Sequence, residues 1–153
     1  FITYPNNDVG GKKIISEINK LKGVKNINIL KSLGRYNYHG ILALSKFKDF
    51  EVICIGNSSS GIKETPVFKC PTINIGSRQD SRLRGNNIID VSYSKKQIIS
   101  AVEKCLNNKS FRLSCKRTKN PYGGGHAGQK AVEFILKIKK DKSTILRKKF
   151  IDV

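Results

Sequence analysis

The stretch Glu51-Val52-Ile53-Cys54-Ile55-Gly56-Asn57-Ser58-Ser59-Ser60-Gly61-Ile62-Lys63-Glu64 decides how the chain is read. Its first five residues form a mostly apolar run rich in β-branched side chains, the composition of a buried parallel strand. Small polar residues follow, and a helix is expected to open at Ile62. At such a junction the first helical N–H groups lack partners inside the helix and the helix dipole adds partial positive charge. An anion is favoured there, most often a phosphate. Small side chains let phosphate oxygens reach the backbone, and Ser58, Ser59 and Ser60 each carry a hydroxyl donor. Glu64 falls about one turn into the expected helix, where a carboxylate can accept hydrogen bonds from sugar hydroxyls. Taken alone, the stretch is more often a serine N-cap with Glu64 closing a capping box.

Outward from this stretch the chain alternates strand and helix. Upstream, Phe1-Ile2-Thr3-Tyr4 is strand-like, and Pro5-Asn6-Asn7-Asp8 is turn chemistry with an Asn or Asp poised as a helix cap. Residues 10–21 carry Ile14, Ile15, Ile18 and Leu21 at helical spacing. Residues 24–33 alternate Ile27, Ile29 and Leu33 as a strand ending at Gly34, and residues 38–47 hold Ile41, Leu42 and Leu44 as a second helix. Downstream, residues 71–76 and 87–91 read as short strands and residues 94–106 as a helix with Ile98, Ile99, Val102 and Leu106 on one face. A last helix from residue 127 aligns Ala131, Phe134, Ile135 and Ile138. The alternation predicts an α/β fold, a Rossmann-like parallel sheet with helices on both faces. Ligands of such sheets bind beyond the carboxyl ends of the strands, where the serines fall.

The 153 residues fit one domain of ordinary size. The chain opens at Phe1, inside a strand-like stretch, and is expected to be a piece of a longer protein. No apolar run approaches the roughly 20 residues of a membrane helix and no signal-peptide pattern opens the chain, so a soluble, cytoplasmic domain is expected. Cys54, Cys70, Cys105 and Cys115 lack CxxC spacing, which argues for buried free thiols in a reducing compartment and against a metal site.

A net charge of +19 raises a nucleic-acid hypothesis. Against it, Lys greatly outnumbers Arg, and the lysines are scattered apart from Lys137, Lys139, Lys140, Lys142, Lys148 and Lys149. No aromatic interleaving, helix-turn-helix, zinc-finger or RRM signature accompanies them. A basic solvated surface is preferred.

Gly76-Ser77-Arg78-Gln79-Asp80-Ser81-Arg82-Leu83-Arg84-Gly85-Asn86-Asn87 is the second chemical stretch. It places three arginines in a loop directly after a strand, on the sheet edge expected to hold the serines. The guanidinium fork suits bidentate contact with phosphate or carboxylate. A solvated loop explains any one arginine more simply than three.

Four segments now occur in order: Tyr4-Pro5-Asn6-Asn7-Asp8-Val9-Gly10-Gly11, the serine loop through Glu64, Pro71-Thr72-Ile73-Asn74-Ile75-Gly76-Ser77-Arg78-Gln79 with Arg82, Gly85 and Asn87, and Asn120-Pro121-Tyr122-Gly123. Together they resemble the C-terminal half of the UDP-N-acetylglucosamine 2-epimerases, in particular the hydrolysing branch that feeds sialic and related nonulosonic acid synthesis. The resemblance covers nearly the whole chain, and four ordered motifs are specific where one would be weak.

The resemblance implies a GT-B-like enzyme of two Rossmann-type domains, with the nucleotide diphosphate held largely by the second. Residues 1–153 would be that single nucleotide-binding domain, and a helix from about residue 126 would cross back to an N-terminal domain. The positions it assigns to the nucleotide are Asn6, Leu33, Ser58, Ser59, Gly61, Glu64 and Arg78. Ser58 and Ser59 would contact the diphosphate, Glu64 the ribose, Asn6 the cleft beside the nucleotide, Leu33 the base through its backbone, and Arg78 the diphosphate end. Lys12 matches a position that binds a regulatory sialic-acid nucleotide in the animal enzyme.

The implied chemistry is anti elimination of UDP across C1 and C2, giving a glycal, then hydration with inversion at C2; it needs no cofactor. The carboxylates that move protons would belong to the N-terminal domain, so no catalytic residue is assigned here and the segment alone is expected to be inactive. His39, at an expected helix start, and His126, in a glycine-rich loop, match no catalytic position and suit capping or surface roles. Tyr122-Gly123-Gly124-Gly125-His126 replaces the usual Tyr-Gly-Asp-Gly-Asn, and Ser81 replaces a common glycine. The outcome, hydrolysing or not, and the sugar stay open. A GT-B glycosyltransferase domain is the nearest alternative, a basic nucleic-acid module the more distant one. A homo-oligomer is the default for such enzymes.

Overall fold

The computed structural model of the chain describes residues 1–5 and 9–138. Asn6, and the basic tail from Lys139 onward, lie outside the described residues. The elements follow the expected alternation: β1 (Ile2–Thr3), α1 (Gly11–Asn19), β2 (Ile29–Leu30), α2 (Gly34–Leu44), β3 (Cys54–Gly56), α3 (Ser59–Lys63), α4 (Thr65–Phe68), β4 (Thr72–Ile75), β5 (Ile88–Val91), α5 (Lys95–Asn107), α6 (Lys109–Arg117) and α7 (Ala127–Lys137). Every strand pair is parallel. β1 pairs with β2, and a second sheet runs β3-β4-β5 with Cys54 opposite Thr72 and Thr72 opposite Ile88.

β4 is the middle strand of the second sheet and is covered on both faces. Ile73 and Ile75 point to one side, where Ile73 joins Ala101 and Cys105 of α5 in the core, packed by Ile53, Ile89, Val91, Val102 and Phe111. Thr72 and Asn74 point to the other side and are equally buried. There the Thr72 hydroxyl donates to Thr65 Oγ1 at 2.8 Å, and Asn87 Nδ2 donates to the Cys70 carbonyl at 2.7 Å and to Thr65 Oγ1 at 3.1 Å. This polar layer fixes α3 and α4 onto the sheet beneath the serine loop. Gly85 comes so close that a Cβ would lie 2.6 Å from Asn87 Oδ1 and 3.0 Å from Thr118 Cγ2. Only a residue without a side chain fits.

Several boundaries differ from the sequence reading for physical reasons. The strand expected over residues 24–33 is reduced to Ile29–Leu30, with turns from Asn19 to Ile27 before it. α2 starts at Gly34, so His39 sits mid-helix and not at a helix start. α1 is preceded by Gly10 in the left-handed region (φ 86) with no side-chain cap, so neither an Asn nor an Asp occupies the N-cap. The helix expected from Ile62 begins at Ser59 and breaks at Glu64, because Pro66 has no N–H to continue the ladder. α6 has no counterpart in the sequence reading. Its nine residues are mostly polar, and an Asn108 cap accepting from the Phe111 N–H at 2.8 Å starts it.

By its internal contacts the chain divides into two units, Phe1–Tyr122 and Gly123–Val153. The first holds both sheets and α1 to α6. In the second, α7 has no buried residue, and Val132, Phe134, Ile135 and Leu136 are exposed on it. Among the described residues no helix is long and apolar enough to cross a membrane, and no group of three or more His, Cys, Asp or Glu side chains is arranged to hold a metal ion.

Candidate functional site

The serine loop leaves the carboxyl end of β3 through Gly56, whose φ of 151° is a conformation glycine takes readily. Ser58 is the N-cap of α3, its hydroxyl oxygen accepting from the Ser60 N–H at 3.4 Å. The serine-cap half of the plain reading is therefore present. The capping box is not: Glu64 closes α3 at its far end, and its side chain reaches across to α2. With only five residues, α3 contributes far less dipole than a long helix. What the loop offers an anion is hydroxyl and N–H donors instead.

A chain of hydroxyls organises those donors. Tyr38 on α2 donates to Ser60 Oγ at 3.1 Å, and Ser60 in turn donates to Ser58 Oγ at 3.0 Å. Ser60 has thereby spent its proton inside the protein, while the Ser58 hydroxyl keeps its own, polarised by the chain behind it. The Ser59 hydroxyl has no partner among the described residues. Burial, reinforced by the neighbouring Cys54, pushes the Tyr38 phenol far above its ordinary pKa of 10.0, so it stays a donor across the neutral range. Gln79, 2% exposed, fastens the loop from the other side by donating to the Asn57 carbonyl at 2.7 Å.

Glu64 is half-buried at the joint between α3 and α4, and its Oε2 lies 2.5 Å from His39 Nε2. The His39 ring contacts those of Phe68 and Tyr38, at centroid distances of 5.1 and 5.9 Å. It also lines an open groove of about 1080 Å³ shared with Leu33, Tyr36, Gly40, Leu44 and Phe68. The sequence-predicted Ser58, Ser59, Gly61 and Glu64 thus occupy one short helix and its flanks. Leu33 borders the groove reached through His39. Gly61 faces inward, its Cβ direction 3.4 Å from Thr72 Cγ2. Lys12 is exposed on the first turn of α1, and Arg78 is exposed in the turn after β4.

Of the three arginines, Arg84 is committed elsewhere. Its Nε and Nη2 donate to the two Asp90 carboxylate oxygens at 3.1 Å each, and Nη1 donates to the Gln79 carbonyl at 2.7 Å. Burial, the largest single influence, raises the Asp90 pKa, but the hydrogen bonds from Arg84 and Asn74 and the guanidinium charge together hold it below 3.8. Arg84 shapes the loop, and its fork is not available to an external anion. Sequence reasoning missed Tyr38, His39 and Gln79. For Tyr38 and His39 the one signal available was two polar-headed ring side chains in succession just before the apolar run from Ile41 to Leu44; for Gln79 there was none.

The family model described as UDP-N-acetylglucosamine 2-epimerase matches residues 1–136. The chain is 33% identical over 131 residues to a UDP-N,N'-diacetylbacillosamine 2-epimerase (hydrolyzing) of Legionella pneumophila, covering 86% of this chain and 32% of that protein. It is 40% identical over 122 residues to a GDP/UDP-N,N'-diacetylbacillosamine 2-epimerase (hydrolyzing) of Campylobacter jejuni, covering 80% and 29%. To a UDP-N-acetylglucosamine 2-epimerase of Neisseria meningitidis it is 35% identical over 108 residues, covering 71% and 27%. The chain spans about a third of the length of the curated relatives it matches. A parallel α/β frame, a serine loop at the end of β3 and a family match over most of the sequence lead to one assignment: the chain belongs to the UDP-N-acetylglucosamine 2-epimerase family.

Proposed function

We propose that this chain is the nucleotide-diphosphate-binding domain of a hydrolysing UDP-sugar 2-epimerase. The observation that carries the reading is the joint placement of Ser58, Ser59 and Glu64 around one short helix after a parallel strand, in a chain of this family. Ser58 and Ser59 donate to the diphosphate. Glu64 accepts from the ribose hydroxyls, and the groove beside Leu33 receives the base. Arg78 stands at the diphosphate end, with Asn6 beside the nucleotide and Gly61 allowing α3 to pack closely on the sheet. Lys12 is proposed as a regulatory nucleotide contact.

In the whole protein the reaction is elimination of the nucleoside diphosphate across C1 and C2 of the sugar, followed by hydration of the glycal. This domain holds the departing diphosphate, whose growing negative charge the hydroxyl donors stabilise. The groups that move protons come from an N-terminal domain, so the present chain alone turns over no substrate. An oligomer of the whole enzyme is part of the same proposal.

The test is a UDP titration by calorimetry, with GDP and a short DNA duplex as controls, on the protein and on a Ser59→Ala, Glu64→Ala variant. Saturable UDP binding, weakened about 100-fold in the variant, is the expected result, at roughly tenfold for each of the two side chains removed. Salt-sensitive binding of DNA with no response to UDP would refute the proposal.

A further inference from the structure

The pairing of His39 with Glu64 goes beyond binding of the nucleotide, although it rests on that reading. A carboxylate has no hydrogen to give, so the 2.5 Å contact is a donation from His39 Nε2 to Glu64 Oε2. Glu64 Oε1 has no hydrogen-bond partner among the described residues. One oxygen of the carboxylate is therefore anchored and the other is left for an incoming donor. Three features hold the anchoring ring itself. It stands mid-helix on α2, it packs against Phe68 on α4, and it leans on the neighbouring Tyr38.

A free glutamate at this joint would have three rotatable bonds setting its carboxyl plane and would lose that freedom on binding. The joint is already an interruption, the end of one five-residue helix and the start of a four-residue one, so the local backbone supports the side chain poorly. His39 supplies from α2 the support that α3 and α4 lack. The same ring borders the groove containing Leu33, so the fixed carboxylate lies at the edge of the space proposed for the base. We propose that His39 is a positioning residue that fixes the Glu64 carboxylate in the orientation that receives the ribose 2′- and 3′-hydroxyls, and that it thereby sets discrimination between ribonucleotides and their deoxy analogues.

The test compares UDP with 2′,3′-dideoxyuridine diphosphate on the whole protein and on His39→Phe, His39→Gln, Glu64→Ala and the His39→Phe, Glu64→Ala pair. Phe keeps a ring against Phe68 and removes the donor; Gln keeps a donor. Thermal midpoints report whether each variant is folded. The expected result is a preference of the unsubstituted protein for UDP, lost by about tenfold in His39→Phe, with dideoxy binding unchanged. His39→Gln recovers most of the preference, and His39→Phe adds nothing once Glu64 is Ala. A His39→Phe variant that weakens both nucleotides equally, or neither, overturns the positioning role while leaving the nucleotide reading intact. Absence of UDP binding in the unsubstituted protein overturns that reading and the role of His39 with it.

Discussion

Asp90 lies at the carboxyl half of β5 and ties three things together: the Arg84 fork, the Asn74 amide at 2.7 Å and the loop between β4 and β5. Its pKa in the folded chain is lowered, so the stability it contributes is fully present above the ordinary value of 3.8 and is lost as pH falls through the lower folded value. The Asp90→Asn variant should therefore be less stable than the parent from about pH 5 upward, and the gap should close on acidification. Urea midpoints of both proteins across that range check the sign. A gap that widens in acid would mean that Arg84 depends on some other partner.

At this scale the legible part of the site was the part written consecutively. Ser58, Ser59 and Glu64 were readable because loop and helix lie in one run of sequence. The contacts of Tyr38, Gln79 and His39 with that run span 22, 22 and 25 residues, and no local pattern announces contacts so distant. Arg84 was misjudged although its partner Asp90 is only six residues on, because that partner stands beyond the loop, in the next strand.

Elements were legible where their apolar spacing was strong and poorly bounded where it was not. α5 appeared within a residue at each end from the spacing of Ile98, Ile99, Val102 and Leu106, although Ala101 and Cys105 are the buried residues of its inner face and Ile99 is exposed. α6 was invisible because its sequence is mostly polar and, of its apolar residues, Phe111 and Cys115, four apart, turn inward while Leu113 stays exposed. Such a helix leans on its cap. Asn108→Ala should cost about 1 kcal/mol of stability, the usual value of a side-chain N-cap, and leave UDP affinity unchanged. Chemical denaturation and the titration above measure the two effects separately. The break at Glu64 belongs to this scale too. Pro66 was plain in the sequence, but its consequence, two short helices with the carboxylate at their joint, depends on where α3 starts.

The expected α/β class, parallel strands flanked by helices, is what the chain adopts, in two sheets among the described residues and not one, since strand and helix alternation survives errors of several residues at each boundary. The proposed partnership with an N-terminal domain makes its own prediction. α7 carries exposed Val132, Phe134, Ile135 and Leu136, with Phe134 69% exposed. In the isolated chain its amides should exchange with solvent within the fastest class, and in the full-length enzyme they should be protected by at least about tenfold. Equal exchange in both settings would remove α7 from the proposed domain contact.

One feature of α2 also bears on how this protein can be altered. Tyr38 and His39 are neighbours in sequence, yet one steadies the front of α3 through Ser60 and the other its rear through Glu64. A substitution that tilts α2, at Leu42 for instance, moves both supports at once and in the same direction. If Ser58 and Glu64 hold a nucleotide as proposed, phosphate affinity and ribose selectivity are mechanically linked traits. A laboratory selection for a new nucleotide that accepts changes in α2 should produce paired shifts in both, whereas changes confined to Gln79 or the Arg78 turn can adjust the phosphate end alone.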